Sequence, residues 1–119
     1  MQKVNIPAQT LPVLTQVDVC VLGGSCTGVF AAVKAAKLGA KTVLIERQNR
    51  AGGTASLSQV CYWHSFFSMD GTKQVIAGLS QEVIDRLAKR NAVTLYDKYN
   101  PSFYAKLNTE ELCIDLDEM

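Results

Sequence analysis

The sequence lacks a charge bias, a long unbroken apolar run, and most of the side chains that build metal or nucleophile sites. Twelve Lys and Arg stand against eleven Asp and Glu, a formal net charge of +1. A nucleic-acid-binding chain usually carries a basic excess or stripe, and there is none here. The most apolar stretch, residues 17–36, is broken by Asp18, by glycine and hydroxyl residues and by Lys34, so it does not read as a membrane span. Residues 1–10 include Lys3, Asn5, Pro7 and Gln9 and have no apolar core of leader length, which makes the cytoplasm the expected compartment. The four cysteines, at 20, 26, 61 and 113, form no C-x-x-C pair, which argues against a redox dithiol. They are expected to be reduced and mostly buried as small apolar side chains. His64 is the only histidine, and no cluster has metal-ligand spacing. Internal repeats and low-complexity tracts are also absent.

What remains is the composition of one modest globular domain. At 48% hydrophobic and 19% charged residues, 119 residues bury a core and do not stay disordered. Residues 1–16, with Pro7 and Pro12, read as an extended arm, and residues 17–119 as the domain. Residues 17–22 (Val-Asp-Val-Cys-Val-Leu) form a short β-branched run that ends at Gly23-Gly24, a buried strand. From Thr27 to Leu38 there is no helix breaker after Gly28, Val29, Ala32, Val33 and Ala36 recur at helical spacing, and Gly39 stands where a left-handed cap is wanted. Residues 41–46 (Lys-Thr-Val-Leu-Ile-Glu) form a second buried strand. A crossover of this length joins parallel strands. The fold class is therefore α/β, with parallel strands and flanking helices.

Further along, residues 48–70 read as loop. Ser80 is the expected N-cap of a helix to about Arg90, with Leu79, Val83, Ile84, Leu87 and Ala88 on its apolar face. Residues 93–107 carry Tyr96, Tyr99, Phe103 and Tyr104 around Asn100-Pro101 and read as irregular or short β. Asn108 is expected to cap a last helix whose face is Leu112, Leu116 and Met119.

The residues with chemistry sit between the first strand and the helix. Gly23-Gly24-Ser25-Cys26-Thr27-Gly28 aligns with G-x-G-x-x-G through Gly23, Ser25 and Gly28. In that fingerprint the first small residue makes the tight turn, the second lets the backbone approach a pyrophosphate, and the third lets helix and strand pack closely. The amides of the loop and the helix N-terminus then face the phosphates. Glu46 ends the second strand eighteen residues after Gly28, where an acid accepts the ribose hydroxyls. An acid there argues against a 2′-phosphate, hence against NADP, and does not separate FAD from NAD. Ser25 replaces the middle glycine. Its side chain either crowds the pyrophosphate or donates a hydrogen bond to it.

Past Glu46-Arg47, the run Arg50-Ala51-Gly52-Gly53-Thr54-Ala55-Ser56 resembles the second motif of FAD-dependent oxidoreductases, a Gly-Gly-x-Ala-Thr/Ser turn just beyond the ribose-binding acid. Residues 77–87 and 108–119 resemble helices of the same family, so the likeness touches most of residues 12–119. It implies a partial Rossmann-like FAD/NAD(P)-binding fold, FAD as cofactor and Gly23, Gly24, Ser25, Cys26, Thr27, Gly28, Glu46, Arg47, Gly53 and Thr54 as cofactor-binding residues. It also implies redox chemistry at the flavin on a small organic substrate, whose contacts come from sequence beyond this chain. By resemblance the chain is the N-terminal segment of such an enzyme, cut short, holding the ADP half of FAD and without turnover of its own. The acidic end Asp115-Leu116-Asp117-Glu118 opposes the helix dipole and fits a cut helix. Self-association is expected, by strand-edge pairing or through the Leu112–Leu116–Met119 face. The rivals are an NAD-binding module and a non-catalytic remnant.

Other candidates carry two readings each. His64 is a surface or packing residue, or a neighbour of the flavin ring. Cys26, at a helix N-terminus, is a small buried side chain, or a thiol of lowered pKa. Arg47 and Arg50 are solvated loop charges, or partners of phosphate or adenine.

Overall fold

The computed structural model describes residues 3–4, 7–96 and 104–119. Tyr99, Asn100, Pro101 and Phe103, and part of the arm, lie outside the described residues.

The expected parallel unit is present. β1 (Val19–Leu22) and β2 (Thr42–Ile45) pair in parallel, Val19 opposite Thr42 and Leu22 opposite Ile45, with α1 (Cys26–Lys37) crossing between them. Asp18 fixes the register, since its carboxylate accepts from the Lys41 amide at 2.8 Å and its amide donates to the Lys41 carbonyl at 2.8 Å. Gly39 stops α1 at φ +91°, its amide bonded to the Ala36 carbonyl, and Lys34 and Lys37 lie on the last turn, where cations favour the helix dipole. α1 covers one face of the two strands. On the other face Leu22 is 78% and Ile45 53% exposed.

The rest of the chain builds a second layer. α2 (Leu79–Lys89), β4 (Val93–Tyr96), β5 (Tyr104–Leu107) and α3 (Thr109–Glu118) follow one another, and β3 (Tyr62–His64) adds to β5 to give an antiparallel sheet of order β3-β5-β4. The segment expected to be loop therefore contains a strand. It forms because Tyr62, Trp63 and His64 find partners in Lys106, Ala105 and Tyr104, far off in sequence. The N-cap of α2 is Gly78, at φ +68°, and Ser80 lies inside the first turn; the expected Ser80 cap is corrected. Ala88, placed on the apolar face by spacing, is exposed. Asn108 caps α3 as expected, its Oδ1 accepting from the amides of Glu110 and Glu111.

The core lies between α2, α3 and β5. Val83, Leu87, Ala105 and Leu112 are fully buried, and Val29 reaches it from α1. Leu112 and Leu116 are thus packed inside, so the helix face expected to mediate self-association is not free. The acidic end of α3 also has an internal partner. Asp115, fully buried, accepts from Arg86 Nε at 2.6 Å, and Glu118 pairs with Arg90. These carboxylates answer the arginines of α2, which explains them without reference to the helix dipole. Among the described residues, no helix is long and apolar enough to cross a membrane.

Candidate functional site

The loop leaving β1 is built from small residues for identifiable reasons. Gly23 turns out of the strand at φ +102°, a region that L side chains rarely adopt, while its amide still bonds the Ile45 carbonyl at 2.8 Å. Gly28 admits no side chain, because a Cβ there would lie 1.9 Å from the Gly23 carbonyl oxygen. That contact is the close approach of helix to strand that the third position of the fingerprint requires.

Ser25 is the N-cap of α1 (φ −60°, ψ 168°), and its Oγ accepts the Gly28 amide at 3.3 Å. The Val29 amide bonds the Ser25 carbonyl. The amides of Cys26 and Thr27, in the first turn, have no intrahelical acceptor. The Ser25 hydroxyl therefore acts as an acceptor inside its own loop, a role that neither sequence reading gave it.

Glu46 lies one residue beyond β2 and reaches back to this loop. Its Oε2 accepts from the Gly24 amide at 2.5 Å and its Oε1 from the Gln48 amide at 2.8 Å. The Gln48 amide first, then the Gly24 amide, hold its pKa below the ordinary carboxylate value, against a smaller opposing effect of desolvation. Arg47 is exposed beside it and adds a weaker favourable charge.

The second glycine motif docks on the first. The Gly52 amide donates to the Gly24 carbonyl at 2.8 Å, Ser25 and Gly52 form an isolated parallel bridge, and the Cys26 thiol donates to the Gly52 carbonyl at 3.5 Å. At Gly53 a Cβ would stand 3.0 Å from the Ser25 Cβ, so this glycine makes room for the serine that replaces the middle glycine. Buried Ser56 tightens the turn by donating to the Ala51 carbonyl at 2.5 Å. Sequence reasoning quoted Gly52 in the second motif but assigned the cofactor only to Gly53 and Thr54; in the fold it is Gly52 that makes the backbone contact to Gly24.

A cleft of about 260 Å³ opens where the two motifs meet, lined by Ser25, Cys26, Thr27 and Thr54 together with Tyr62 and Trp63. Burial pushes the Cys26 thiol pKa up, which favours the reading of a small, part-buried side chain over a thiol of lowered pKa. Arg50 does not reach the cleft residues; it pairs with Glu110 at 2.8 Å. His64 is exposed, its Nδ1 2.9 Å from the Ser65 hydroxyl. Among the described residues, no group of three or more His, Cys, Asp or Glu is placed to hold a metal ion.

A strand, a glycine turn under a helix N-terminus, an acid at the end of the next strand and a second glycine turn define a dinucleotide-binding class of α/β domain. The family of FAD dependent oxidoreductases matches residues 18–116, and the chain belongs to that family. No curated protein and no solved structure matches it. The family implies a flavin cofactor and oxidoreductase chemistry.

Proposed function

We propose that residues 17–119 bind FAD by its ADP half. The observation that carries this reading is the convergence of three separate segments on the N-terminus of α1: the loop 23–28, Glu46, and the turn Gly52-Gly53-Thr54. The amides of Cys26 and Thr27 face the pyrophosphate, favoured by the partial positive charge of the helix end. Glu46 takes the adenosine ribose. A carboxylate offers about four acceptor sites, of which the Gly24 and Gln48 amides use two, so ribose hydroxyls find free lone pairs. Arg47 lies on the same side, and Thr54 borders the cleft on the other. The bound flavin supplies the redox chemistry, and this chain holds and orients it. The groups that handle a small organic substrate are assigned outside this cleft.

A second reading has one observation in its favour. The Gly28 amide, a donor at the helix start, is already taken by the Ser25 hydroxyl, as in a remnant that keeps the packing and binds nothing. Calorimetric titration with FAD, ADP-ribose and NAD separates the readings. FAD and ADP-ribose are expected to saturate one site. Binding of none leaves the remnant, and binding of NAD without FAD replaces the cofactor.

A further inference from the structure

We infer that the Tyr62–Trp63 wall of the cleft receives the planar ring system at the far end of the dinucleotide. This rests on the FAD-binding reading above and adds the position of the other half of the ligand. Glu46 is not part of the cleft; it lies on the Gly24 side of the phosphate loop. With the pyrophosphate at the amides of Cys26 and Thr27 and the adenosine at Glu46, outside the cleft, the cleft is left for the other half of the dinucleotide. At about 260 Å³ the cleft is smaller than the roughly 300–1,000 Å³ that encloses a whole drug-sized ligand, so it takes one part of a dinucleotide.

The wall suits a flat, polar-edged ring. Tyr62 and Trp63 are consecutive in β3 and leave it on opposite faces, so a cleft that both line runs along the strand's edge. In the order β3-β5-β4, β3 is an edge strand among the described residues, and its outer side presents backbone donors and acceptors that no strand pairs. Both rings are held in place. Trp63 packs edge-on against Phe30 of α1 (6.2 Å, 87°), and Tyr62 edge-on against Tyr104 (5.4 Å, 69°), with Lys106 Nζ 5.9 Å from the Tyr62 centroid. Rigid aromatic faces of this kind stack planar ligands at little entropic cost.

The test compares FAD with ADP-ribose, which lacks the ring, on the full chain. Tyr62 is 46% exposed, so Tyr62→Leu leaves the fold intact. It is expected to weaken FAD binding about three- to tenfold and leave ADP-ribose binding unchanged. Trp63→Phe gives a second readout: emission of bound FAD, quenched by electron donation from a touching indole, brightens in the variant. Unchanged FAD affinity in Tyr62→Leu together with unchanged emission in Trp63→Phe overturns the inference while the FAD site stands. Failure of both ligands to bind the unaltered chain removes the site itself, and the inference with it.

Discussion

The parallel unit of residues 19–45 and the layer of residues 79–119 divide the work of this molecule unequally. The first carries the phosphate loop and leads into Glu46, yet Val29 is its one member of the buried core cluster. The second carries none of the candidate site and supplies Val83, Ile84, Leu87, Ala92, Ala105, Leu107, Leu112 and Leu116 to that cluster. The parallel strands are covered on one face, whereas parallel sheets are ordinarily covered on both. The lesson is that glycine geometry and packing are separable: the loop is specified by close backbone contacts, and the body by side-chain burial. The two are joined by a few contacts, among them Val29 in the core and the Lys37–Glu82 ion pair at 2.7 Å.

The contrast breaks most sharply in the packed layer. Leu87→Ala, at a position with no exposure, is expected to cost about 4 kcal/mol in denaturant unfolding. Arg86→Ala leaves Asp115 buried without its 2.6 Å partner and is expected to cost about 3 kcal/mol, near the low end for a broken buried pair because Arg86 itself is part-exposed. A cost below 1 kcal/mol in either variant would mean that the layer is not what holds the chain together.

Changes in the loop region act on the ligand instead. Glu46→Gln is expected to weaken FAD binding about tenfold while leaving the fold intact, read by calorimetry alongside a denaturant melt. The pH dependence follows from the same contacts. The folded pKa of Glu46 lies below its unfolded value, so its hold on the Gly24 and Gln48 amides is complete above the ordinary carboxylate range and is lost as pH falls through the folded value. The smallest effect is a control outside the site. Asp70, which accepts from the Ser68 hydroxyl and the Thr72 amide, is held at about 2, so the turn it closes persists in acid until pH falls to that value. A carbon-detected NMR titration of Asp70 with a midpoint near the ordinary 3.8 would contradict those bonds.

The parallel unit was legible in sequence because its signals are local: a β-branched run, glycines at fixed offsets, a helical repeat and an acid at the end of the second strand. The Asn108 cap was legible for the same reason. β3 was not, since three residues in a serine-rich stretch become a strand only through Lys106, Ala105 and Tyr104, far off in sequence. Nor was the α2 cap, where backbone conformation at Gly78 overrode the capping propensity of Ser80. Within the site, the loop was read correctly as a turn into a helix, but Ser25 was weighed only against a phosphate. Its actual partners, the Gly28 amide and the space left by Gly53, belong to the folded loop. The acidic tail of α3 likewise seemed unbalanced until Arg86 and Arg90 came to face it from another helix.

Amide hydrogen exchange with and without FAD tests the central contrast most directly. Without ligand, amides of α2, β5 and α3 are expected to exchange slowest, and those of residues 23–28 and 46–54 markedly faster. On adding FAD, protection should rise in residues 23–28 and 46–54 and around Tyr62 and Trp63, with little change in the packed layer. Equal protection of the two regions without ligand, or no gain at residues 23–28 when FAD is bound, would contradict a cofactor loop carried by a separately packed body.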